Sequence, residues 1–150
     1  MSYAQNTTVN AGQTKQQLEA MLLRRGATGF ISGWKDNAAF IAFEFLGRAV
    51  QFKLPLPDRM SKLYTHSPNG KLRTVDAQNT AWNQACNARW RALYLVIKAK
   101  LEAIDTGIVT FESEFLAHLQ LPSGQTVGET IIPQIKAGST VTLALPGGAS

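Results

Sequence analysis

Placed at 100° steps, Trp82, Cys86, Trp90, Leu93, Tyr94, Ile97, Leu101 and Ile104 fall on one stripe of a helix spanning residues 76–104. An apolar stripe that long has to face a core, so the remainder of the chain must supply a surface that covers it. Thr74 stands where an N-cap would begin the helix. Arg91 and Lys98 border the stripe on one side and Arg89 and Lys100 on the other. There their aliphatic stems can lie along the edge of the core while the charges stay in water.

Three β-prone runs, residues 28–34, 38–46 and 48–54, offer that covering surface. They are separated by Lys35-Asp36-Asn37 and by Gly47, both acceptable tight turns, and predict an antiparallel meander. Alternation puts Phe30, Ser32 and Trp34 on one face of the first strand, and Ile41, Phe43 and Phe45 opposite Phe40, Ala42 and Glu44 in the second. In the third, Val50, Phe52 and Leu54 oppose Gln51 and Lys53. Upstream, Thr14 is a plausible cap for a helix carrying Leu18, Met21 and Leu22 and closed by Gly26, with residues 1–13 as a polar, flexible arm. Downstream, Thr110 can cap a short helix ending near His118, and Thr126 to Glu129 has capping-box spacing for another that Pro133 limits or kinks. Residues 141–145 form either an edge strand or part of a loose tail. The sum is one α+β domain over residues 14–137: a three-stranded antiparallel meander packed against a long amphipathic helix, with additional short helices and a tail at 138–150.

With 150 residues, 45% of them hydrophobic, a single core is the natural outcome. No apolar run approaches the roughly 18 residues of a membrane helix, so no membrane partner is expected. The opening MSYAQNTTVNAGQ lacks a signal-peptide profile, giving an expectation of a cytosolic protein. One cysteine, Cys86, and two histidines, His66 and His118, offer no metal-ligand spacing, and no cofactor is called for. The net charge of +5 hides a sharp partition, with +1 over residues 1–47, +8 over 48–100 and −4 over 101–150. A basic block on one face suits an anionic partner; dispersed, it would be only a solvated surface.

The runs MSYAQNTTV, RRGATGFISGW, LPLPDR, CNARWRALYLVIKAKLEA, TFESEFLAHLQLPSG and VGETIIPQI, in that order, resemble a family of small uncharacterised proteins of tailed bacteriophages and prophages. The resemblance spans residues 1–137 and leaves out the tail from Gly138. It implies a phage or prophage origin, with the host cytoplasm as the place of action. It brings no agreed activity, catalytic residue or ligand to transfer.

Catalytic candidates are weak. His66, on the basic segment, can serve as a base or phosphate contact, but an exposed histidine without function is the simpler reading. Glu112 and Glu114 are two apart and diverge on a helix, and Cys86 on the apolar stripe reads as a core thiol. Gly26, Gly29 and Gly33 match neither a dinucleotide fingerprint nor a P-loop. The expectation is therefore a non-catalytic protein.

Nucleic acid is the expected partner. Residues 55–73 contain Pro55, Pro57, Pro68 and Asn69-Gly70 and predict a long, basic surface loop. Arg59, Lys62, Lys71 and Arg73 on that loop, with Arg48 and Lys53 beside the meander, would contact phosphates. Tyr64 would stack on an unpaired base; Trp34 and Phe40 are either further stacking rings or core, and Trp82 and Trp90 read as core. No sequence-reading motif is present, so binding should be single-stranded or non-specific, in phage replication or recombination. The alternative is a counter-defence or interaction protein that inhibits a host protein complex or forms a homo-oligomer, using its long helix or the 141–145 strand.

Overall fold

The computed structural model describes residues 3–148, with side chains for 12–147. Helix α1 (Tyr3–Arg24) leads into strands β1 (Gly29–Lys35), β2 (Ala38–Phe45) and β3 (Arg48–Pro55). A single turn α2 (Lys62–Thr65) precedes the long α3 (Val75–Asp105), the short α4 (Phe111–Glu114) and α5 (Val127–Ala137). This is the expected α+β architecture: an antiparallel sheet of order β1-β2-β3 and a long helix with shorter ones around it.

Helix α3 starts as its sequence dictates. The Thr74 hydroxyl accepts a hydrogen bond from the Ala77 amide, and Asp76 in the first turn complements the helix dipole. Cys86, Trp90, Leu93, Ile97 and Leu101 are buried along it. Helix α1 packs beside it and runs parallel, since Lys15 lies over Trp90, Arg91 donates to Gln17 and Arg25 pairs with Asp105. Leu18, Met21 and Leu22 of α1 join the α3 stripe and the inner sheet face in one core. That face carries Ala39, Ile41, Phe43, Val50 and Phe52, paired as Phe43 with Val50 and Ile41 with Phe52. Phe115 is fully buried and meets Phe43 and Phe52 edge-on at 6.0 and 6.1 Å, closing the core beneath α4.

Several local expectations change. Helix α1 begins at Tyr3, so Thr14 lies within it rather than at its start. A capping preference acts only where the upstream chain leaves helical geometry, and the polar residues before Thr14 continue the helix instead. Residues 1 and 2 of the expected arm, and 149 and 150 of the tail, lie outside the described residues. The segment 55–73 is not one continuous loop, because Ser61 caps α2 and a miniature hairpin follows. In that hairpin His66 bridges to Leu72, and the Ser67 amide donates to the Lys71 carbonyl at 2.8 Å. The Thr110 and Thr126 capping boxes both form, and α5 passes through Pro133 to Ala137. Residues 141–145 form no strand, and Val141, Leu143 and Leu145 are exposed.

One arrangement was not expected. Leu119 bridges to Val50 and the Gln120 amide donates to the Ala49 carbonyl at 2.8 Å, so the chain after α4 covers the open edge of β3. On the outer face the Phe40 ring lies over Gly33, where a Cβ would come within 2.8 Å of it. Phe40 therefore packs on its own sheet, on the face opposite Trp34.

Two tests follow from this packing. Phe115→Ala should cost about 3–5 kcal/mol of stability in urea denaturation, the range for deleting a buried phenylalanine. Leu46 and Gly47 turn the chain between β2 and β3 with φ of 50° and 74°, and Leu46 is exposed. Leu46→Asn should raise stability by about 1 kcal/mol, because asparagine tolerates this left-handed conformation far better than leucine.

Candidate nucleic-acid interface

At the end of the sheet where β1 turns into β2, a cavity of about 560 Å³ opens between α1, α3 and the chain leaving β3. Its walls include all three tryptophans, Trp34, Trp82 and Trp90. Trp34 is 75% exposed: it shares a face with Phe30, which is partly buried against the core, but sits at the far end of β1 beside the β1–β2 turn. The Trp82 indole donates to the Pro57 carbonyl at 2.8 Å, which anchors residues 55–59 against α3. Trp90 is buried in the core, and its edge also lines the cavity.

Two cations sit on these rings. The Arg59 guanidinium lies 4.0 Å from the Trp82 ring centroid and donates to Asn79, and the Lys15 ammonium lies 4.8 Å from that of Trp90. Asp36 is the only acidic residue among the lining side chains. Asn83 and Asn87, four apart and so on one face of α3, add amides to the wall. The Asn87 Oδ1 is buried with no hydrogen-bond partner among the described residues. Leaving such a group unsatisfied costs about 1–3 kcal/mol. Cys86 also lines the cavity; burial pushes its thiol up, against the opposing pull of Arg59 and Arg89, so it is no ready nucleophile at neutral pH.

A second hollow of about 630 Å³ begins two residues further along the chain. Lys62, His66 and Arg73 line it together with Ser61, Ser67 and Gly70. It lies between α2 and the miniature hairpin, whose backbone is tied by the Arg73 amide donating to the Thr65 carbonyl at 2.8 Å. Arg59 at the rim of the first cavity and Lys62 in the second are three residues apart, which caps their backbone separation at roughly 11 Å.

The structure thus brings together Arg59, Lys62 and Arg73, with Lys71 exposed on the adjoining hairpin. It separates the other two basic candidates. Arg48 follows the β2–β3 turn at the opposite end of the sheet, and Lys53 points from the outer face to Glu129, which it meets at 2.8 Å. Tyr64 is half-buried in α2 and lines neither hollow. The residues missed by sequence reasoning are Trp82, Trp90, Asn83 and Asn87, which an apolar-stripe pattern assigns to or beside the core.

Among the described residues no three His, Cys, Asp or Glu side chains come together in a way that could hold a metal, and no helix is long and apolar enough to cross a membrane. No protein-family model, curated protein or solved structure matches the chain.

His118, the second histidine, lies away from both hollows, stacked on Phe52 at 3.9 Å. Burial, with Lys100 nearby, holds its pKa below the ordinary 6.5. The folded protein therefore resists a proton that the unfolded chain accepts, and stability should be full above pH 6.5 and fall as the pH drops below it. Melting temperature measured between pH 7 and 5 should decline, and His118→Phe, which keeps the stacked ring, should flatten that decline.

Proposed function

We propose that this is a non-catalytic phage protein that binds single-stranded nucleic acid in the host cytoplasm, as an accessory to phage DNA replication or recombination. The observation that carries this reading is that neighbouring stretches of one segment line a tryptophan-walled groove and a basic hollow, with Arg59 in the first and Lys62, three residues on, in the second. Indole faces gain about 1–3 kcal/mol per stacked base, and only unpaired bases offer their faces. The ammonium and guanidinium groups of Lys62, Lys71 and Arg73 suit the phosphates that follow such a base along a strand. The amphipathic α3 carries no reading motif, and the cations lie beside a stacking surface rather than along a helix that could enter a major groove.

A second reading, binding and inhibition of a host protein complex or self-assembly, has its own support. Ile131, Ile132 and Ile135 of α5 are exposed, and the tail beyond them exposes Val141, Leu143 and Leu145. The groove and hollow favour the first reading, since their lining combines rings and positive charge.

Fluorescence-anisotropy titration of labelled single-stranded and duplex DNA at two salt concentrations tests the proposal. Single strands should bind more tightly, with a salt-sensitive affinity. Replacing Lys71 and Arg73 together by Ala should lower the slope of log K against log salt by about 1.4, from roughly 0.7 per phosphate contact on a single strand. Arg48→Ala should leave that slope unchanged. Equal affinity for duplex, or a slope indifferent to the double substitution, would overturn the assignment.

A further inference from the structure

We infer that the tryptophan-walled cavity is a pocket for a single unpaired nucleobase, with the base on the exposed Trp34 indole, its hydrogen-bonding edge turned to the Asn87 amide and its phosphate at Arg59. The inference rests on the strand-binding reading for the source of that base, and adds that the protein takes one base out of the strand rather than only offering a stacking platform.

The shape is the first support. A cavity of about 560 Å³ falls within the range of small-ligand sites, whereas a stacking platform is flat. Its charge is the second. With Arg59 over Trp82 and Lys15 over Trp90, two ring systems already carry cations, and Asp36 alone opposes them. A quaternary ammonium ligand, which aromatic cages otherwise suit, would meet like charge here. A planar ring bearing an anionic group meets the opposite. Trp34 supplies a face that is 75% exposed in the free protein and gains cover when a ring lies on it.

The third support is polar. A nucleobase differs from an apolar ring in presenting N–H donors beside acceptors, and an amide side chain pairs with such an edge through one oxygen and one nitrogen. The Asn87 Oδ1 is a buried acceptor without a partner in a wall that also holds Asn37 and Asn83. That oxygen has almost no solvent-accessible surface, so a bound base reaches it when the amide turns toward the cavity, and a donor on that base would then remove the deficit. A leucine of similar shape at this position would remove it too, while abolishing recognition, so stability and binding should move in opposite directions on one substitution.

Tryptophan fluorescence during titration with adenosine 5′-monophosphate tests this, with ribose 5-phosphate as the base-free control and a labelled single-stranded oligonucleotide as the competitor. The nucleotide should quench the indole emission and displace the oligonucleotide, and ribose 5-phosphate at the same concentration should do neither. Asn87→Leu should weaken nucleotide binding at least tenfold while raising the melting temperature of the free protein by a few degrees. Trp34→Ala, at an exposed position, should weaken binding without changing that temperature. If the oligonucleotide binds but the nucleotide neither quenches nor competes, and Asn87→Leu leaves oligonucleotide affinity intact, the base pocket is wrong and the strand-binding reading survives. If the nucleotide binds in an Asn87-dependent way and no oligonucleotide does, the pocket stands and the strand-binding reading falls. Failure of both ligands overturns both.

Discussion

The length of α3 relative to the sheet it packs on organises this molecule. Thirty-one helical residues extend about 46 Å at 1.5 Å each, whereas strands of eight residues reach only about 26 Å. The sheet, α1 and Phe115 cover the stripe from Trp90 to Leu101. The first turns of α3 outrun the strands, and their cover comes from residues 55–59 and α2. Cover of that kind is incomplete. Trp82 remains half-buried, Trp34 projects from the end of the sheet, and the gap between them is the cavity.

That mismatch also explains the polar character of the site. Deep in the core the buried side chains of the stripe, Leu93, Ile97 and Leu101, are hydrocarbon and have no hydrogen-bonding group to satisfy. Towards the N-terminal end of α3 the residues beside the stripe become Asn79, Asn83 and Asn87, and cations from α1 and the post-β3 segment lie on the rings. An apolar-walled opening with amides and positive charge is a poor element of a stable core and a good receptor for a planar anionic ligand. The basic hairpin after α2 is folded by its own backbone bonds, and among the described residues Lys62, Lys71 and Arg73 make no ion pair with an acidic side chain.

Much of the fold was legible in local patterns. The stripe on α3, the Thr74, Thr110 and Thr126 caps and the alternation in β2 and β3 rest on short-range physics, and the structure follows them. Features set by distant contacts were not legible. Nothing local shows that 119–120 pairs with β3 or that Phe40 packs over Gly33. The site divides in the same way. Arg59, Lys62 and Arg73 were visible as a charge cluster in sequence, but Arg48 and Lys53 are near them only in residue number. Trp82 and Trp90 fit the stripe so well that periodicity alone hides their place in the cavity wall. The spacing of Asn83 and Asn87 on the same helix face was the available signal.

We propose that a single strand docks at the end of α3 left uncovered by the sheet. The most direct measurement is the two-dimensional NMR spectrum of ¹⁵N-labelled protein, read at the indole N–H signals of its three tryptophans as a short single-stranded oligonucleotide is added. Docking there should shift the Trp34, Trp82 and Trp90 signals and the amide of Asn87 together, while the amides around Arg48 stay in place. Shifts confined to α5 and the tail, with the three indole signals unmoved, would contradict it.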